Sequence, residues 1–97
     1  MIQFKIPMYL ISNKDSIFSQ EAYASFDIEY EENLRNIMEK VHSIIPDTVS
    51  GFTDNKDNFK SNIILIHNDK IVNKLAWERE IITDGDVIEI LAQFAGG

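Results

Sequence analysis

Ninety-seven residues, 44% of them hydrophobic and 26% charged, describe one soluble globular domain with a single core. Nine Lys and Arg against sixteen Asp and Glu give a formal charge of -7, which repels a phosphate backbone and argues against nucleic acid as a partner. Cysteine is absent, which excludes disulfides, thiolate metal sites and a cysteine nucleophile.

No apolar run approaches the roughly 20 residues of a membrane helix, and the opening "MIQFKIPMYLIS" has no basic region followed by a cleavage-like site. These features predict a cytoplasmic protein with no membrane partner. The acidic surface keeps such a domain soluble and steers it toward a basic face on another protein.

In chain order, "IQFKIPMYLI" alternates Ile2, Phe4, Ile6, Met8 and Leu10 with Gln3, Lys5, Pro7 and Tyr9, the period of a half-buried strand. Pro7 has no amide proton, so its nitrogen is expected on an unpaired side or at a bulge. After "SNKDS", Ala24, Phe26 and Ile28 alternate with Ser25, Asp27 and Glu29, giving a second strand and a hairpin. From Glu31 the spacing becomes helical. Leu34, Ile37, Met38, Val41, Ile44 and Ile45 form one apolar stripe, Glu31 and Glu32 sit at the positive end of the helix dipole, and Pro46 ends the helix.

Residues 47 to 61, "DTVSGFTDNKDNFKS", are polar and aperiodic and predict a long surface loop. "NIILI" reads as a strand covered on both faces, "HNDK" as a turn and "IVN" as a short return segment. "KLAWERE" fits either a helical turn or a strand, and Trp77 within it is expected at the core or its edge. "ITDGD" is a tight turn in which Gly85 supplies backbone freedom, and "VIEIL" is the final strand.

The chain lacks the parts of an enzyme. His42 and His67 are too few and too far apart for a metal pair, and Asp84 and Asp86 are what a turn around Gly85 requires. "DNKDN" at 54 to 58 lacks the glycine and bidentate glutamate of a calcium loop. No phosphate-cradling glycine loop and no serine with a recognisable base is present. No stably bound cofactor or metal is expected.

The order of elements, the segment "ITDGDVIEIL" and the ending "FAGG" resemble the small sulfur-carrier proteins of the MoaD/ThiS family. The likeness spans the chain in outline, and its motifs lie in residues 81 to 97. It implies an α+β fold of the ubiquitin-like β-grasp type: a mixed sheet of about four to five strands packed on one main helix. Residues 1–97 would then form one domain with a flexible C-terminal tail over 93–97.

The resemblance further implies a carrier, not a catalyst. The carboxylate of Gly97 would be adenylated by a MoeB/ThiF-like enzyme using ATP, then converted to a thiocarboxylate that donates sulfur in cofactor biosynthesis, molybdopterin first and thiamine next. Partners would be that adenylating enzyme, a sulfur donor such as a persulfide-bearing protein, and the large subunit of a synthase. Phe94, Ala95 and Gly96 would meet the partner: Gly96 and Gly97 thread a narrow channel for want of a β-carbon, Ala95 adds one methyl, and Phe94 anchors the tail's base. Apolar side chains on the outer sheet face, with Phe94 at its edge, are expected to form a patch inside an acidic rim. Two other readings fit the same residues. A ubiquitin-like modifier would be conjugated through Gly97, and a regulatory module of the TGS type would have no need of the diglycine.

Overall fold

A computed structural model describes residues 1–15, 22–29, 33–54 and 58–93. Five strands form one sheet: β1 (Ile2–Pro7), β2 (Tyr23–Ile28), β3 (Ile63–His67), β4 (Lys70–Ile71) and β5 (Val87–Ala92), in the order β2-β1-β5-β3-β4. The final strand is therefore the middle one. It runs parallel to β1 and antiparallel to β3, while β1 with β2 and β3 with β4 are antiparallel pairs. This mixed sheet, with helices on one face, is the expected α+β β-grasp arrangement.

The alternation read from the sequence decides which face is inner. Ile2, Phe4, Ile6, Ala24, Ile28, Ile63, Leu65, Ile88 and Ile90 are all buried. Against them lies α1 (Leu34–Ile44), whose Leu34, Ile37, Met38 and Val41 are buried. The Asn33 side chain caps its start by accepting the Arg35 N–H at 2.7 Å. Glu31 and Glu32, expected at the dipole's positive end, lie outside the described residues. The stripe shifts at its end: Ile45 is buried, whereas Ile44 is exposed.

Three readings need correction. Pro46 does not only end a helix; it opens a second one, α2 (Pro46–Phe52), so the aperiodic loop expected over 47 to 61 is partly helical. Proline's fixed φ suits the first helical position, where its missing N–H would have had no partner. Thr48, Val49 and Phe52 are buried. The Asp15 carboxylate supplies a remote cap, accepting both the Thr48 N–H at 2.7 Å and the Thr48 hydroxyl. Burial by itself would raise the pKa of Asp15, but these hydrogen bonds hold it below the ordinary value.

The first strand is also shorter than its alternation suggested. It stops at Pro7, and Met8–Leu10 form a 3₁₀ turn. The Gln3 N–H points toward β5 and the Met8 N–H toward β2, so by alternation the Pro7 nitrogen faces β5. There the β1–β5 register has already ended at Lys5↔Glu89, in keeping with the expected unpaired side. Finally, β3 is fully covered on one face only: Ile63 and Leu65 are buried, Ile64 and Ile66 half-buried.

The "HNDK" turn is a two-residue hairpin loop with Asn68 at φ 48° and Asp69 at φ 68°, a left-handed geometry that, after glycine, Asn and Asp tolerate best. "KLAWER" forms 3₁₀ structure over Lys74–Arg79. It buries Trp77, which meets Phe59 edge-on at 5.3 Å, while Phe59 stacks on Phe52 at 6.1 Å.

Candidate functional site

The site implied by the sequence begins where β5 ends. Its members Phe94, Ala95, Gly96 and Gly97 lie outside the described residues, as does all but the first residue of the tail expected over 93–97. Their root is well defined. Ala92 pairs with Ile63 across the β3–β5 ladder, and the Gln93 N–H donates to the Asn62 carbonyl at 2.7 Å. On the opposite edge, the Tyr9 hydroxyl accepts the Ala92 N–H at 3.2 Å and donates to the Ala92 carbonyl at 3.4 Å. The end of the middle strand is thus held on its β1 side at Ala92 and on its β3 side at the next residue, Gln93.

The registers also assemble the outer face. Leu91 lies across from Ile64, and Ile66 across from Ile71, which is 77% exposed. Ile64, Ile66, Ile71 and Leu91 form an apolar half that adjoins the tail's root. The other half is polar: Gln3, Lys5, Ser25 and Glu89 with Tyr23 line a shallow groove, and the Gln3 amide donates to the Ser25 hydroxyl at 2.9 Å. The expected patch is present among the described residues, but its flank carries Lys5 beside Glu89 and is mixed, not uniformly acidic. The Phe94 edge falls outside the described residues.

At the far end of β5, the turn residues do more than turn. Gly85 takes φ 91°, a conformation that favours glycine. Asp86 accepts the Thr83 N–H and the Thr83 hydroxyl, each at 2.9 Å. His67 sits between two carboxylates, with Nδ1 2.8 Å from Glu80 Oε2 and Nε2 2.7 Å from Asp86 Oδ2. Burial would lower the His67 pKa, but hydrogen bonds and charge from Asp86 and Glu80 raise it above its ordinary value. Burial would likewise raise that of Asp86, yet bonds from Thr83, Asn68 and His67 hold it far below the usual carboxylate range. Both ring nitrogens facing carboxylates calls for an imidazolium, since only that form donates twice.

His67 is therefore a partly buried structural ion, and His42 is exposed on α1. Among the described residues no group of three or more His, Cys, Asp or Glu is placed to hold a metal ion, and no helix is long and apolar enough to cross a membrane. Sequence reasoning missed Tyr9, Asn62 and the His67–Asp86–Glu80 cluster. Tyr9 stood in an alternating strand pattern, and nothing local tied it to Ala92, 83 positions away.

On the helix side, a groove of about 480 Å³ has Met38, Val49, Phe59 and Trp77 as its floor and Arg35, Glu39 and His42 at its rim. The Arg35 guanidinium is drawn away to Glu78 at 2.8 Å.

Comparison with known proteins agrees with this architecture. The structure resembles SAMP1 from Haloferax volcanii, with a TM-score of 0.69 at 12% identity over 99% of this chain and 98% of that one. A second structure, of H. volcanii small archaeal modifier protein 1, gives 0.68 at 11% identity over 96% and 97%. A chain of the Amycolatopsis orientalis BexX/CysO complex gives 0.66 at 18% identity over 97% and 99%. At these identities the likeness is one of fold. No curated protein sequence matches the chain. The ThiS family model matches residues 20–97, and so takes in α1, every strand from β2 to β5 and the terminal diglycine. The chain belongs to the ThiS family, and its fold is that of a small β-grasp domain.

Proposed function

We propose that this protein is a sulfur carrier whose working group is the main-chain carboxylate of Gly97. A carboxylate is a poor electrophile until it carries a good leaving group. In the proposed cycle, a MoeB/ThiF-like partner joins the Gly97 carboxylate to the α-phosphorus of ATP, releasing pyrophosphate and leaving an acyl-adenylate. The terminal sulfur of a persulfide-bearing donor then attacks the carbonyl carbon, and AMP departs with one former carboxylate oxygen. A second thiol attacks the donor's sulfur in the remaining S–S bond, so that the two thiols leave joined as a disulfide, with loss of a proton, and the thiocarboxylate is released. With no cysteine in this chain, that thiol belongs to a partner. The loaded tip then gives its sulfur to a substrate held by the large subunit of a synthase, with molybdopterin formation the leading assignment and thiamine formation the alternative.

The observation that carries this reading is the family match running through Gly97. Two features of the fold support it: the tail springs from the middle strand, and an apolar face of Ile64, Ile66, Ile71 and Leu91 adjoins its root. That face gives a partner a place to dock while the tip reaches its nucleotide. ATP is consumed by the partner, the carrier holds no cofactor of its own, and the cycle runs in the cytoplasm. In ATP–pyrophosphate exchange with the adenylating enzyme, wild type is expected to stimulate exchange and Gly97→Ala to reduce it by more than tenfold with an unchanged melting temperature. Exchange independent of residue 97 would refute the assignment.

The modifier reading shares the first step. One of the similar structures is described as H. volcanii small archaeal modifier protein 1. An activated Gly97 attacked by a lysine amine instead of a persulfide would give an isopeptide. Lysine-linked adducts that vanish on deletion of the diglycine would favour it over sulfur transfer.

A further inference from the structure

The β1–β5 ladder ends before β5 does. Its register closes at Lys5↔Glu89, and the next β1 nitrogen that faces β5 belongs to Pro7, which has no proton to donate. Ala92, the last residue of β5, is left facing a chain that has turned away into the 3₁₀ turn Met8–Leu10. That turn is firmly seated. The Met8 N–H donates to the Ala22 carbonyl at 2.8 Å, the Ile11 N–H to the Met8 carbonyl at 3.1 Å, and Leu10 and Ile11 pack against the core. From it the Tyr9 side chain reaches back, and one hydroxyl meets both the N–H and the C=O of Ala92.

We propose that Tyr9 is a positioning residue for the Gly97 carboxylate, its hydroxyl standing in for the missing strand partner and fixing the point from which the tail departs. A hydroxyl suits the task because its one oxygen both donates and accepts. With the Asn62 carbonyl holding Gln93 on the other edge, the leash is confined to the residues beyond 93. Without the hydroxyl, Ala92 loses its grip on the β1 side, and the terminal group searches a larger volume at the same docking distance. This inference rests on the carrier reading for its consequence, but not for the latch itself.

Tyr9 is 58% exposed, so Tyr9→Phe keeps the ring and leaves the core untouched. Two measurements test it. Amide hydrogen exchange is expected to quicken about 2- to 10-fold at Ala92, the range for loss of one ordinary hydrogen bond, while Leu65 and Ile90 are unchanged. In single-turnover adenylation, the rate at saturating partner should fall about 2- to 10-fold with the half-saturating partner concentration held within about twofold, because the docking face is intact.

Unchanged exchange at Ala92, uniformly faster exchange through Leu65 and Ile90, or a change in half-saturation alone would overturn the proposal. Absence of adenylation in the wild type would instead strike the carrier reading, and the exchange at Ala92 would still decide the latch.

Discussion

Raising the pH strips the proton from His67, and the structure says what that costs. The neutral ring keeps one N–H, so one of its two contacts, at 2.7 Å to Asp86 or 2.8 Å to Glu80, turns from a charge-assisted hydrogen bond into facing lone pairs. A bond to a charged partner nets about 1.5–3 kcal/mol. Glu80 is 32% exposed at its side chain and Asp86 12%, so water replaces the Glu80 contact more readily and Asp86 carries the larger share. A loss of about 2 kcal/mol results, and in a domain of this length each 1 kcal/mol moves the melting temperature by about 4–8 °C. The sign follows from linkage. Because folding raises the His67 pKa above its ordinary 6.5, this stabilisation is complete below that value and disappears as pH climbs through the folded-state pKa.

Asp86 sets the opposite flank. Its pKa is lowered by folding, so its contribution is present above the ordinary 3.8 and fades as pH falls. Stability should form a plateau between those two values. The assay is urea denaturation followed by circular dichroism from about pH 5 to about pH 9, on wild type and His67→Gln. The variant should be about 2 kcal/mol less stable at about pH 6 and within about 0.5 kcal/mol of wild type at about pH 9. Parallel profiles for the two proteins, or wild-type stability that rises through this window, would refute the imidazolium clamp.

The two described glycines of α2 and the DGD turn should respond oppositely to alanine. Gly85, at φ 91°, should lose about 1–2 kcal/mol, whereas Gly51 lies in helical backbone with open space where a β-carbon would go and should gain about 0.5–1 kcal/mol; thermal melts read both. Asp15→Ala removes the acceptor for the Thr48 N–H and hydroxyl and should cost about 1–3 kcal/mol near neutral pH. Since folding lowers the Asp15 pKa, that difference should shrink as pH falls below its ordinary 3.8, a trend urea titrations in acid would register. Phe94→Ala should weaken partner binding, measured by calorimetry, more than it lowers the melting temperature; the reverse ranking would make Phe94 a core residue.

Much of the frame was legible because its signals are local. The two alternations placed β1 and β2, the 3.6-residue stripe placed α1, and the Asp-Gly-Asp sequence placed a turn whose glycine does take a positive φ. What escaped was held by distant partners. The α2 helix is seven residues long and contains Thr, Ser and Gly, all weak helix formers; it is supported by Val49 and Phe52 in the core and by Asp15, 33 positions upstream. The role of His67 escaped because Glu80 and Asp86, its partners, lie 13 and 19 residues further on. For the tail the balance is reversed. The sequence alone names Phe94, Ala95, Gly96 and Gly97, and the structure supplies their base at Ala92 and Gln93.

The account stands or falls on the terminal carboxylate of Gly97. The purified protein, incubated with its adenylating enzyme, ATP and a persulfide donor, should gain the mass of one oxygen-to-sulfur exchange, and fragmentation should place that gain on the last residue. A protein that stays at its original mass while the adenylating enzyme is demonstrably active, or one that carries the new sulfur anywhere else, would contradict it.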